Sequence, residues 1–228
     1  MNKLTLIIPA KNEAECLPKV LESLKKLNLN IVVSLKDNDL KTIESIQNFD
    51  VKIHRQSGLG YGNSLKEAIE ACKTDWFCIF NADGSFEKDD LIKMYNLMDN
   101  NDFVYTSRYL KKSGSEDDTF ITFLGNKIFS LLGNIFFSLK INDILFTYVM
   151  GSVDAFKKLK IQSNDFKFCV EMPIKMSISN MKYDMIPSYE KKRIGGKKKV
   201  NAFKDGSLIL YEMIKLFVLY KILRQKII

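Results

Sequence analysis

The sequence predicts an α/β domain built on a mostly parallel sheet, with helices on both faces. Two observations carry this. Apolar runs of strand length recur at residues 4–8, 31–33, 51–54, 76–80 and 103–107, and apolar residues at helical spacing fill most of the intervals between them. Strands that alternate with helices at such short intervals return in the same direction, which covers the sheet on both sides. At 228 residues, with 46% hydrophobic and 27% charged residues, the chain has the length and composition to bury one core.

The elements follow in order. Residues 4–8 form a short apolar run that stops at Pro9, as a buried parallel strand does. Asn12 then reads as a helix cap with Glu15 as its capping-box partner, and Leu17, Val20, Leu21, Leu24 and Leu27 form one apolar helical face. Strands at 31–33 and 51–54 flank a short helix marked by Leu40, Ile43 and Ile46. Residues 62–73 are helical, with Leu65, Ala68, Ile69 and Cys72 on one side. A buried strand at 76–80, a helix at 89–98 and a strand at 103–107 complete the alternation. Beyond it the pattern changes. Residues 120–141 are dominated by Phe, Leu and Ile, with Lys127 and Lys140 as the only charges. Residues 191–199 form a basic loop, and 201–228 an apolar helix. No repeat or linker divides the chain. The expected organisation is a domain over 1–200, containing an apolar helical segment at 119–141 and a basic loop at 190–200, followed by a C-terminal helix at 201–228.

Composition narrows the chemistry. A formal net charge of +8 suggests an anionic partner: nucleic acid, anionic lipid or a phosphorylated substrate. The basic loop has no interleaved aromatic residues for base stacking, so nucleic acid is not expected. Cys16, Cys72, Cys78 and Cys169 show no ligand spacing and read as buried small hydrophobes in a reducing compartment. With His54 as the sole histidine, a His-rich metal site or a Ser/His/Asp triad has little to build on. The apolar run before Pro9 is too short for a signal peptide, so the protein is expected inside the cell.

Three segments could carry chemistry. Asn81-Ala82-Asp83-Gly84-Ser85 follows a buried strand, at the end of a parallel sheet where ligands bind. Its oxygen-rich turn suits a hard divalent cation that neutralises a diphosphate; it equally suits an Asx turn closing the strand. Gly58-Leu59-Gly60-Tyr61-Gly62 precedes a helix and reads either as a tight turn or as a loop that offers N–H groups to a phosphate. It is not a dinucleotide fingerprint. Glu13, at the end of the first strand, reads as an N-terminal helix carboxylate or as a contact to a ribose hydroxyl.

Together these segments resemble glycosyltransferase family 2 and, within it, the dolichol-phosphate mannosyltransferase-like polyprenyl-phosphate glycosyltransferases. The resemblance runs over most of the chain: IIPAKNE at 7–13, GLGYGN at 58–63, NADGS at 81–85, TSRY at 106–109, NDIL at 142–145 with YVMG at 148–151, NDFKFCVEMPIK at 164–175 and RIGGKKKVNAFKDG at 193–206. It implies a GT-A fold that binds a GDP- or UDP-linked sugar with Mg²⁺ or Mn²⁺. Carried over, Pro9, Lys11, Glu13, Gly60, Asn81, Ala82, Asp83 and Lys199 would bind the donor. Asn81, Asp83 and Ser85 would hold the metal. Asp83, Arg108 and Arg193 would be catalytic, the two arginines meeting phosphates. Two departures stand out. Ser34 and Leu35 occupy the place of an acidic pair that contacts the base, with Asp37 and Asp39 nearby, and Asn81 replaces the first Asp of the metal motif.

The implied reaction moves a hexose or N-acetylhexosamine to a polyprenyl phosphate, an acceptor already anionic near neutral pH. A second reading is transfer to a saccharide or other soluble acceptor, with Asp143 or Glu171 as general base. A third is a catalytically weak nucleotide-sugar-binding partner subunit, motivated by Asn81 and Ser34. Thr122, Asn126, Ser130 and Asn134 recur at four-residue steps and form a polar stripe along the apolar segment, so it is expected to lie on the membrane with its partner helix rather than to cross. The C-terminal helix ends among Lys221, Arg224 and Lys226, suited to anionic headgroups. The protein is expected to be peripheral on the cytoplasmic face of a membrane, with room for a membrane-anchoring partner or a homo-oligomer.

Overall fold

The computed structural model describes residues 1–195 and 201–226. Nine strands and eight α-helices lie among them: β1 (Leu4–Pro9), α1 (Leu17–Leu24), β2 (Asn30–Leu35), α2 (Leu40–Ser45), β3 (Lys52–Arg55), α3 (Tyr61–Glu70), β4 (Trp76–Ile79), α4 (Asp90–Tyr95), β5 (Phe103–Ser107), β6 (Gly114–Ser115), α5 (Phe120–Phe137), β7 (Val149–Ser152), α6 (Val153–Leu159), α7 (Phe168–Ile178), β8 (Tyr183–Pro187), β9 (Tyr189–Glu190) and α8 (Ala202–Phe217). The main sheet has the order β3-β2-β1-β4-β7-β5-β8, and β6 pairs with β9 in a small parallel ribbon. All neighbours in the main sheet are parallel except β7, which runs antiparallel to β4 and β5.

Alternation along the strands sends side chains to two cores. Ile7, Phe77, Ile79, Phe103 and Tyr105 face α3 and α5 to α8, while Leu6, Ile8, Cys78, Phe80 and Val104 face α1, α2 and α4. The chain order reverses between β1 and β4, so the segments leaving their carboxyl ends share one crevice.

Several expectations are corrected. Asn12 does not cap α1: its φ is 54°, and the helix starts at Leu17 with Pro18 in its first turn and no side-chain cap. Proline presets φ for a first turn and sets this start. The antiparallel strand β7 and the edge strand β8 were not expected, since Gly151 interrupts the first and Asp184 the second. The helix expected to run to 141 stops at Phe137, because Ser138 adopts a left-handed φ of 57° and turns the chain back. The C-terminal helix ends in a π-helical turn at Val218–Ile222.

Asn126 and Ser130 of the α5 polar stripe face the protein. Asn126 accepts from the Leu145 N–H at 3.1 Å and Ser130 from the Ile144 N–H at 3.1 Å, which seats the helix on the segment before β7. Its opposite side leaves Phe120, Ile121, Leu124, Ile128, Leu131 and Ile135 exposed. Among the described residues α5 is one helix long and apolar enough to cross a membrane by length and composition, yet it packs beside α8 and α7.

Candidate active site

The turn after β4 is closed by its own side chains. Asp83 Oδ1 accepts from the Ser85 N–H at 3.0 Å and from the Ser85 hydroxyl at 2.7 Å, and Asn81 Nδ2 donates to that hydroxyl at 3.4 Å. Ala82 turns its methyl into the core, so its main chain is what it can offer a ligand. The Lys191–Ile194 loop folds down on this turn: the Ile194 N–H donates to the Asp83 carbonyl and the Lys191 N–H to the Ser85 carbonyl, both at 2.8 Å. Gly84 permits the approach, because it has a φ of +79° and a Cβ there would lie 2.4 Å from the Ile194 side chain.

Arg193 spans two carboxylates. Nε and Nη2 donate to Asp117 at 3.2 and 2.7 Å, while Nη1 stands 3.6 Å from Asp83 Oδ2. Asp117 belongs to an acidic triplet, Glu116-Asp117-Asp118, absent from the sequence-derived site. Glu116 accepts from the Lys192 N–H at 3.0 Å, and Asp118 accepts from the Tyr109 and Thr122 hydroxyls. Three consecutive carboxylates thus tie the basic loop to the start of α5. The available signal was an acidic run in a basic chain, between TSRY and the apolar segment.

Arg108 is less accessible than its expected phosphate role requires. Its Nε and Nη2 donate to Asp143 at 2.9 and 2.8 Å, and Nη1 donates to Glu190 at 2.9 Å. Burial works against its charge, but the hydrogen bonds and charge of Asp143, with that of Glu190, outweigh it and hold the guanidinium proton more tightly than usual. Asp143 also accepts from Asn126, so this buried network joins TSRY, α5 and β9. The two carboxylates expected as general bases are committed elsewhere. Asp143 serves Arg108, and Glu171 sits in α7 against Lys175 at 2.7 Å while accepting from the Gln162 and Ser163 N–H groups.

The loops after β1 and β2 are laced together beside the turn after β4. The Ala10 N–H donates to the Ser34 carbonyl at 2.8 Å, Asn12 N–H to Asp39 at 2.6 Å and Glu13 N–H to the Thr42 hydroxyl at 3.0 Å. Pro9, Lys11 and Glu13 therefore lie on one wall of the β1–β4 crevice. The Ser34 hydroxyl is bound to Ser64 at 2.7 Å and Asp37 pairs with Arg55, whereas Asp39 is the acid tied to the loop after β1, through the Asn12 N–H.

Part of the glycine loop's backbone is already engaged within the protein. Its N–H groups at Ser57 and Gly58 donate to Glu67, at 2.8 and 3.3 Å. Gly60 is required for packing: at φ +102°, a Cβ would lie 2.1 Å from the Asn164 carbonyl oxygen. Partial burial favours the neutral acid at Glu67, but hydrogen bonds from Ser57, Asn63 and Gly58 bring its pKa down to about 2. Lys199 lies outside the described residues.

Residues 5–160 match the model of the family described as Glycosyl transferase family 2. The chain belongs to that family. No curated protein sequence matches it. Among solved structures, glucosyl-3-phosphoglycerate synthase from Mycobacterium tuberculosis in complex with UDP superposes with a TM-score of 0.70 at 12% identity, over 95% of this chain and 80% of that one. The same enzyme with Mn²⁺, UDP-glucose and phosphoglyceric acid gives 0.68 at 12% identity, over 95% and 80%. Mannosyl-3-phosphoglycerate synthase from Rubrobacter xylanophilus gives 0.67 at 15% identity, over 98% and 74%. At these identities the likeness establishes the fold, which is GT-A. In this family 2 glycosyltransferase the crevice outside β1 and β4 is the candidate donor site.

Among the described residues no group of three or more His, Cys, Asp and Glu side chains gathers as a metal cluster. The donors at the turn are one carboxylate, one amide and one hydroxyl. Hard oxygen ligands with a single protein carboxylate suit an ion whose remaining positions are filled by phosphate oxygens and water. The residues fit Mg²⁺ or Mn²⁺ in that restricted sense.

Proposed function

We propose that this family 2 enzyme transfers a hexose or N-acetylhexosamine from a nucleoside-diphosphate sugar to a polyprenyl phosphate at a membrane surface, as a peripheral protein. The observation that carries the acceptor is the exposed apolar face of α5, continued on α8 by Phe203, Leu210, Tyr211 and Ile214. The polar stripe of the same helix α5 runs through Thr122 to Asp118, next to the Asp117 that holds Arg193. An apolar surface rooted in the site wall suits an acceptor whose tail lies in lipid and whose phosphate reaches the turn.

Asp83, with Asn81 and Ser85, would hold a divalent ion, as the Mn²⁺ complexes of structural neighbours suggest. Such an ion supplies charge neutralisation to the departing diphosphate. Pro9, Lys11 and Glu13 line the nucleoside side. Arg193 offers its outer nitrogen to the phosphates, and Arg108 is a positioning residue that fixes TSRY against β9 and α5. An acceptor phosphate oxygen bonds to the anomeric carbon as that carbon's bond to the nucleoside diphosphate breaks. A phosphate monoester arrives already deprotonated, which agrees with Asp143 and Glu171 being engaged in ion pairs.

A second reading, a soluble acceptor, is favoured by the neighbours that carry phosphoglyceric acid. The test is transfer from radiolabelled UDP- and GDP-sugars to liposomes containing polyprenyl phosphate, beside the same donors with phosphoglycerate or oligosaccharides in solution. Label in the lipid phase supports the proposal. Label confined to the soluble acceptor would replace it with the second reading.

A further inference from the structure

We propose that Asp117 is a positioning residue that clamps Arg193 away from Asp83 and so leaves the Asp83 carboxylate available to a divalent cation. The inference rests on Asp83 as the metal ligand and extends it to a residue with no other assigned role.

Arg193 lies between two carboxylates that compete for it. Asp117 holds it with two hydrogen bonds, Nε to Oδ1 at 3.2 Å and Nη2 to Oδ2 at 2.7 Å, whereas Nη1 to Asp83 Oδ2 is 3.6 Å, an ion pair beyond hydrogen-bond distance. A bidentate fork is the stronger and more directional of these contacts, so it decides where the guanidinium rests. Ser85 already donates twice to Asp83 Oδ1, and Oδ2 is the oxygen that Arg193 faces. A guanidinium that settled fully on Asp83 would neutralise the turn's one carboxylate.

The clamp itself is rigid. The Asp117 and Asp118 N–H groups both donate to the Ser115 hydroxyl, at 3.1 and 2.9 Å, and the Glu116 N–H donates to the Glu190 carbonyl at 2.9 Å. On the other side, Lys192 N–H bonds to Glu116 and Ile194 N–H to the Asp83 carbonyl, which fixes the backbone on both sides of Arg193. With both anchors set, the side chain of Arg193 can shift between the two carboxylates while the loop stays in place. That choice is what Asp117 makes.

The experiment is Mn²⁺ binding to the full chain without nucleotide, followed by the electron paramagnetic resonance of the free ion. Asp117→Asn is expected to weaken Mn²⁺ binding by about fivefold to tenfold, as a partly buried guanidinium–carboxylate pair forms at Asp83. Arg193→Gln, which removes the competitor and keeps the Asp117 carboxylate unchanged, is expected to bind Mn²⁺ more tightly than wild type. The double variant is expected to match Arg193→Gln to within about twofold, since Asp117 acts through Arg193. Had Asp117 merely supplied negative potential, the double variant would stay weak relative to Arg193→Gln, and the proposal would fall. It would also fall if Arg193→Gln bound no more tightly than wild type, a result that does not depend on Asp117→Asn folding. Undiminished Mn²⁺ binding by Asp83→Ala would overturn the metal turn itself and the clamp with it, which separates the two failures.

Discussion

Asp83 carries the largest consequence of any side chain in the crevice, because it is the one carboxylate in the turn after β4. Asp83→Ala is expected to lower transfer by at least about a hundredfold, a loss on the scale of removing an electrostatic stabiliser, while the circular dichroism spectrum stays that of the wild type. Full activity in that variant would remove the site assignment. Asp143 is a different case. It is fully buried and holds Arg108 through two nitrogens, so Asp143→Ala leaves that guanidinium with Glu190 as its remaining close partner and is expected to cost up to about 3 kcal/mol in urea unfolding. Glu67 gives a pH signature. Its folded pKa of about 2 lies below the ordinary 4.5, so its contribution is present above pH 4.5 and is lost as the pH falls toward 2. Glu67→Gln is therefore expected to lose about 2 kcal/mol at pH 7, with the gap to wild type closing in acid; a gap independent of pH would contradict this. These roles were unevenly legible. Asp83 stood out because it follows an apolar strand. Glu67, Asp117 and Glu190 did not: Asp117 and Glu190 find their partners more than seventy residues away, and Glu67 binds a preceding loop whose path spacing alone does not give.

Among elements, the β1–α1 and β4 segments were readable because their strands are nearly uniform apolar runs and a parallel sheet buries both faces. β7 and β8 were not. Val149–Ser152 is four residues with a glycine, and Tyr183–Pro187 is an edge strand with mixed burial, so neither has a period to detect. α5 was readable in both aspects: apolar length, and a polar stripe every fourth residue that meets the protein. Its outer face supplies an element-level prediction. Leu131→Glu with Ile135→Glu places two carboxylates on exposed apolar positions and is expected to reduce flotation with anionic liposomes by at least about tenfold, given about 1.5–3 kcal/mol per buried aliphatic side chain. Melting temperature should change little, because both residues are exposed. Unchanged flotation would argue against lipid docking and toward the soluble acceptor.

At the scale of the molecule, the order reversal between β1 and β4 explains why the loop after β1 and the turn after β4 meet at one crevice, where the nucleoside and the metal are proposed to bind. The loop Lys191–Ile194 and the triplet Glu116–Asp118 close that crevice from the side of α5. The apolar face of α5, the buried Arg108 network and the turn after β4 are thereby linked by hydrogen bonds. On the proposed reading Asp83, with Asn81 and Ser85, would hold a divalent ion that neutralises the donor's diphosphate. Crystals grown with Mn²⁺ and UDP or GDP, measured at the manganese edge, test it directly. An anomalous peak within coordination distance of Asp83, with diphosphate oxygens on its other side, is expected. A bare Asp83 turn, with nucleotide and manganese bound elsewhere, would contradict it.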